Sequence, residues 1–150
     1  MAIIDTLTMF GENFDLQQET GTYLFTSQID LGVAGRDPGN GQPVFLNAVV
    51  TETFTDGGDS ATLQFRLASD DSASIHATTS TAHFLSGTML KAALVAGNTF
   101  SFPIPVSGVA YERFLGLQGL VATAGFDAGM VTAWLGIDPI GWKTYPDATN

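Results

Sequence analysis

"ATLQFRLAS", residues 61–69, alternates apolar and polar side chains at each step. Leu63, Phe65 and Leu67 fall on one side of an extended chain and Thr62, Gln64 and Arg66 on the other, because successive strand side chains point to opposite faces. One apolar and one solvated face is the pattern of an antiparallel sheet, whereas parallel strands are covered on both sides.

Working outward, similar β-rich runs recur between clusters of turn residues. "TYLFTSQIDL" (22–31) ends at "GRDPGNGQP" (35–43), "VFLNAVVTETF" (44–54) at "TDGGDS" (55–60), and 61–69 at "DDSAS" (70–74). Further strands are expected in "SIHATTSTAHFL" (74–85), "NTFSFPIP" (98–105), "YERFLGLQGLV" (111–121) and "GMVTAWLGID" (129–138). Only "TMLKAALVAG" (88–97) has helical spacing, with Thr88 as a cap and Gly97 as the left-handed terminator, and it supports one short helical turn. The expected fold is all-β, an antiparallel β-sandwich of jelly-roll type with at most one short helix. A single domain spans 1–150, with residues 1–12 as a candidate N-terminal arm.

Composition narrows the function. Of 150 residues only 13% are charged and 45% are apolar, so the surface is built largely from Thr, Ser, Gly, Asn and Gln. The formal net charge is −10, and the five bases, Arg36, Arg66, Lys91, Arg113 and Lys143, are scattered. Direct nucleic-acid binding needs clustered bases and is not expected, nor is attachment to an anionic membrane. No apolar run approaches the roughly 18 residues that cross a bilayer, and no secretory leader pattern is visible, so synthesis and use without export are expected. The absence of cysteine removes disulfides and thiolate chemistry.

Catalytic and ligand-binding patterns are sparse. His76 and His83 are seven apart and would face opposite sides of one strand, which argues against a shared metal. Nucleophile-elbow, P-loop and dinucleotide-binding motifs are missing, and Glu12, Glu19, Glu52 and Glu112 sit in separate segments. "DGGD" (56–59) and "SDDS" (69–72) offer oxygen ligands without EF-hand spacing, and turn chemistry accounts for them. Period two separates Tyr111 and Arg113 from Glu112 and Phe114, so that cluster cannot converge, and Arg113 is expected to brace a neighbouring strand. No enzyme activity, cofactor or metal is expected.

Taken in order, "IIDTLTMF" (3–10), "QIDLGVAGRDPGNGQPVFL" (28–46), "TLQFRLASDDSAS" (62–74), "LVAGNTFSFPIP" (94–105), "YERFLGLQGLV" (111–121) and "AGMVTAWLGID" (128–138) resemble the cement, or decoration, proteins of short-tailed and related tailed bacteriophages. The Tyr-Glu-Arg-Phe strand departs from that family's pattern and carries over no role for Arg113. The resemblance implies a jelly-roll virion protein, made in the host cytoplasm, on the outside of the capsid. Its partners would be the major capsid protein and itself, as a dimer or trimer. Contact candidates are Ile3, Ile4, Leu7, Met9, Phe10, Arg36, Trp142 and Tyr145. Of these, Ile3, Ile4, Leu7, Met9 and Phe10 form an apolar N-terminal segment expected to pack on a sister subunit or the capsid, unless it is the first strand of the sandwich. Arg36 is a forked donor on an exposed turn, beside Asp37 as an alternative partner. The competing reading is a carbohydrate- or receptor-binding sandwich with Trp134, Trp142 or Tyr145 as sugar platforms.

Overall fold

A computed structural model describes residues 5–36, 38–39, 42–105 and 110–140. Ten strands run in the order β1 (Met9–Asp15), β2 (Gly21–Leu24), β3 (Ile29–Asp30), β4 (Phe45–Thr55), β5 (Thr62–Asp70), β6 (Thr81–Leu85), β7 (Met89–Leu90), β8 (Thr99–Pro103), β9 (Phe114–Ala122) and β10 (Ala128–Gly136). They form two antiparallel sheets. One has the order β1-β10-β4-β8; the other has β2-β9-β5-β6, with β3 beside β9 and β7 beside β5. Among the described residues there is no α-helix, only 3-10 turns at Thr6–Thr8 and Lys91–Ala93.

The alternation in β5 places Leu63, Phe65 and Leu67 in the core at full burial. They meet Phe10, Leu16, Phe25, Leu46, Ala48, Val131 and Ala133 between the sheets. Gly119 on β9 makes room for this packing, since a Cβ there would lie 2.9 Å from Leu16 Cδ2.

Several expected elements are revised. The N-terminal strand β1 pairs with β10, Met9 opposite Trp134, and Phe10 is fully buried, so residues 9–12 belong to the sandwich rather than to an arm. Phe10 covers its own core, and a large ring already enclosed there is unavailable to a partner. The 22–31 run breaks into β2 and β3. The 74–85 run is a loop as far as Ser80 and a strand only from Thr81. The 111–121 strand begins at Phe114, so the period-two grouping of Arg113 with Tyr111 and Leu115 fails ahead of it: Tyr111 and Leu115 are buried and Arg113 is exposed. Leu90, not Thr88, precedes the short turn at Lys91, and no side chain caps it; Gly97 is left-handed, with φ +92°.

Candidate functional site

The outward side of the six-stranded sheet carries a row of uncharged side chains beside Arg66. It divides into a covered half and an open half.

The covered half is built around Gln118. This side chain points away from the core yet is 0% exposed, because residues 71–80 lie over it. Its Nε2 donates to the carbonyls of Ile75 (3.2 Å) and His76 (3.4 Å), and its Oε1 accepts from Arg66 Nη1 at 2.6 Å. Arg66 extends the clamp, donating from Nη1 to Ala77 O and from Nη2 to Ser80 O, each at 2.9 Å. Burial lowers the guanidinium's pKa, and three oxygens compensate the charge. Ile75 drops onto Gly116, where a Cβ would sit 3.0 Å from its side chain. Asp70 begins the loop by accepting the N–H groups of His76 and Ser72, and those bonds, His76's first, hold its pKa below the ordinary carboxylate value.

The open half lies beside it. Register puts Thr62 between Leu90 and Ala122, Gln64 opposite Leu120, and Arg66 opposite Leu85, so these side chains share the outward face. Leu85 and Leu90 are 53% and 52% exposed. Between them Ser86 interrupts the edge: its Oγ accepts Phe65 N–H at 2.8 Å and its carbonyl accepts Gln64 Nε2 at 3.0 Å. Thr62, Gln64, Leu85, Leu90, Leu120 and Ala122 carry no ionisable group. The other sheet instead exposes Glu12 on β1 and Glu52 on β4.

Polar clusters elsewhere are engaged within the fold. Asp56 Oδ2 accepts Ser60 and Ala61 N–H, both at 2.8 Å, closing the β4–β5 turn, with Lys91 Nζ 3.5 Å from its Oδ1. These contacts, Ala61 N–H first, lower its pKa. Lys91 also bonds Asp59, which with Asp56 raises the lysine's pKa, so a side-chain cation already sits between the two carboxylates. Among the described residues no group of three or more His, Asp or Glu could hold a metal ion. Arg113 grips Asp30 on β3 through Nε (3.0 Å) and Nη2 (2.9 Å), and that pair, with Gly32 N–H, takes Asp30 down to about 2. It braces β3 against β9 as a forked donor should.

Among the described residues one serine hydroxyl meets a histidine ring. Ser69 Oγ lies 2.6 Å from His83 Nε2 and accepts Glu112 N–H at 3.0 Å, while the imidazole stacks on Tyr111 with ring centroids 3.9 Å apart. Tyr111 Oη donates to Pro105 O at 2.5 Å. Ser69 is fully buried, so its oxygen offers no approach to a substrate. The cluster ties the connection between β8 and β9 to β5 and β6.

The sequence-predicted contact residues that are described, Leu7, Met9, Phe10 and Arg36, do not gather on the open face. Leu7 is 79% exposed in the turn capped by Asp5, whose Oδ1 accepts its N–H. Met9 is half-buried at the start of β1. Arg36 donates to Leu31 O at 3.5 Å in the loop after β3. Ile3, Ile4, Trp142 and Tyr145, and Asp37 beside Arg36, lie outside the described residues. Trp134 is buried and is no exposed sugar platform. Leu85, Leu90 and Leu120 were missed, although the outward Thr62–Gln64–Arg66 row in 61–69 was the signal that could have found their face.

A β-sandwich with one charge-poor outward face and no assembled metal cluster among its described residues is the class that fold and site define. The Bbp16 family model matches residues 14–135, and the chain belongs to that family, whose name points to a phage origin. No curated protein matches it.

Proposed function

We propose that this chain is a structural, non-catalytic virion protein of a tailed phage. It decorates the capsid exterior and clamps neighbouring major capsid subunits, itself gathering as a dimer or trimer. The observation that carries this reading is the open half of the six-stranded sheet. On a molecule of net charge −10 it is a face without charge, bearing two half-exposed leucines. Interface centres are depleted in charged groups in this way. The Bbp16 match and the sequence resemblance point in the same direction. Leaving out the two-residue strands, the strand order sets the first strand beside the last and moves the chain to the other sheet at every step except β5 to β6, the order a jelly roll would have.

A clamp acts by mass action: it binds assembled subunits and not separated ones, so many modest contacts together shift the assembly equilibrium. An apolar, hydrogen-bonded contact resists salt, whereas exposed ion pairs are screened beyond about 8 Å at physiological ionic strength. The test is to strip capsids of this protein, return it across a salt series, and measure the particles' heat resistance. Re-addition that protects the particles up to several hundred millimolar salt supports the proposal. Unchanged particle stability refutes the clamp, and binding that collapses with salt refutes its apolar character.

A further inference from the structure

We infer that the open half of the six-stranded sheet receives a short extended segment of the major capsid subunit, laid across the strands beside the chain's own residues 71–80. The inference rests on the capsid-clamp reading and specifies the form the partner takes at this face. The molecule shows twice how an outward sheet face holds a crossing chain. Gln118 and Arg66 give N–H groups to the carbonyls of Ile75, His76, Ala77 and Ser80, while Ile75 drops into the slot over Gly116. Ile75 is buried there yet stands outside the core cluster, so the covered half has an apolar contact of its own. On the other sheet Asn47 donates from Nδ2 to Asp138 O (3.0 Å) and accepts Ile140 N–H (3.3 Å). In both places an outward amide takes hold of main-chain groups.

Gln64 is a third outward amide, half-buried, and register sets it in a row with Leu120 on β9 and Thr22 on β2. The donors here are spent and the acceptors are not. Gln64 Nε2 is taken by Ser86 O and Thr62 Oγ1 by Ala122 O (3.3 Å), whereas among the described residues nothing donates to Gln64 Oε1. The fitting occupant therefore brings N–H groups, with an aliphatic side chain to lie against Leu120 and the two edge leucines. A basic side chain also brings N–H groups, but Arg66 flanks the row on one side and Lys91 follows Leu90 on the other. It would lose its hydration against leucines with no carboxylate in the row. An acidic side chain would meet oxygens whose lone pairs repel it. The neutral main-chain amides of an extended segment satisfy each condition.

The way across is clear. Gly87 follows Ser86 at the edge, and no described atom lies within 4 Å of where its Cβ would be, so a crossing chain can leave the sheet there. From Thr22 to that edge is a span of three strand spacings, about 14 Å, which about four or five extended residues cover.

Photo-cross-linking tests the inference on assembled particles. The chain is made with p-benzoylphenylalanine in place of Thr22, Leu120 or Gly87, one at a time, returned to stripped capsids and irradiated. The expected result is that each position joins the major capsid subunit, and that the joined sites fall in order within one run of about six residues. Sites scattered through the capsid sequence overturn the segment and leave the clamp standing. Cross-links to a second copy, or none from attached protein, overturn it as well. If the unsubstituted chain does not attach to capsids at all, the clamp is refuted and the inference with it. Where the bulk of a probe prevents attachment, amide exchange on the capsid subunit is compared with and without the unsubstituted chain bound: protection in one such run supports the inference, and dispersed or absent protection overturns it.

Discussion

Each sheet carries one amide side chain that points away from the core and is nonetheless buried, and the two are built differently. Asn47 on β4 holds residues 138–140 with Ser101 as its helper among the described residues, all neutral groups. Gln118 on β9 holds residues 75–76 with Arg66, which adds a charged donor and two further carbonyls, and with Ile75 seated on Gly116. An outward polar residue at full burial therefore marks a segment laid across a sheet. The number and charge of its bonds measure how firmly that segment is held. Where neither clamp reaches, on the far half of the six-stranded sheet, the surface stays open.

The comparison is broken most forcefully at Gln118. Gln118→Leu leaves Arg66 short of one oxygen and two loop carbonyls without donors, and a buried group stranded in this way costs about 1–3 kcal/mol, so a loss of about 3 kcal/mol is expected in urea unfolding. Exchange should rise across 71–80 and stay unchanged at 137–140. Asn47→Ala removes neutral bonds only and should cost about 2 kcal/mol, with the opposite exchange pattern. Because the two clamps sit on different sheets and share no partner, the double variant should show the sum within about 0.5 kcal/mol. A large coupling would mean that they are not separate devices.

The difference between the clamps was only half legible in the sequence. Arg66 stands on the polar side of the 61–69 alternation, which read the core correctly at Leu63, Phe65 and Leu67. Gln118 falls on the polar side of 111–121 by the same rule. Nothing local reveals that either is covered, because the cover comes from a segment that 74–85 disguised as strand: Ser, Thr and Ala suit a β-run as well as a clamped loop. Phe10 was misplaced for a related reason. Its pairing with β10 joins residues more than a hundred positions apart, and no local pattern reports a partner that distant. Of the two half-exposed leucines of the open face, Leu85 was hidden by the break at Ser86, which a single-strand reading of 74–85 could not contain, and Leu90 by the helical spacing of 88–97.

A smaller and pH-selective effect belongs to the six-stranded sheet alone. Burial pushes His83 below the ordinary imidazole value of about 6.5, so the folded chain holds it neutral. Its stabilising contribution is fully present above pH 6.5 and is lost as the pH falls toward the lower folded value. Protonation would charge a ring packed against Tyr111 and the fully buried Ser69. Asp30, Asp56 and Asp70, with lowered pKa, stay ionised above pH 4.5 and keep their contributions there. The urea midpoint should therefore fall between pH 6.5 and 4.5 in the wild type. In His83→Phe, which keeps the ring on Tyr111 and cannot titrate, that fall should shrink or vanish even though the midpoint starts lower. An equal slope in both proteins would remove His83 as the cause.

The smallest effect on folding is expected where the effect on attachment should be greatest. Leu85 and Leu90 are half in solvent already, at the edge of the sheet, so a lysine in either place can lay its stem along the strand and keep its ammonium in water. Stability should shift by no more than about 0.5 kcal/mol, as for most surface substitutions. If the open face is the one that meets the capsid, the same lysine must surrender its hydration in an apolar contact with no acidic partner on this side of it, and attachment should weaken at least tenfold. Glu52→Lys on the four-stranded sheet is the control: it also makes the chain less acidic, by twice as much, so any general relief of repulsion would appear there first. Loss of capsid binding in Leu90→Lys, with retention in Glu52→Lys, assigns the contact to the six-stranded sheet. The reverse pattern would move it to the acidic face. Equal binding by both variants would take the contact off the sheets and return it to the loops and chain ends, where Leu7 and Arg36 lie.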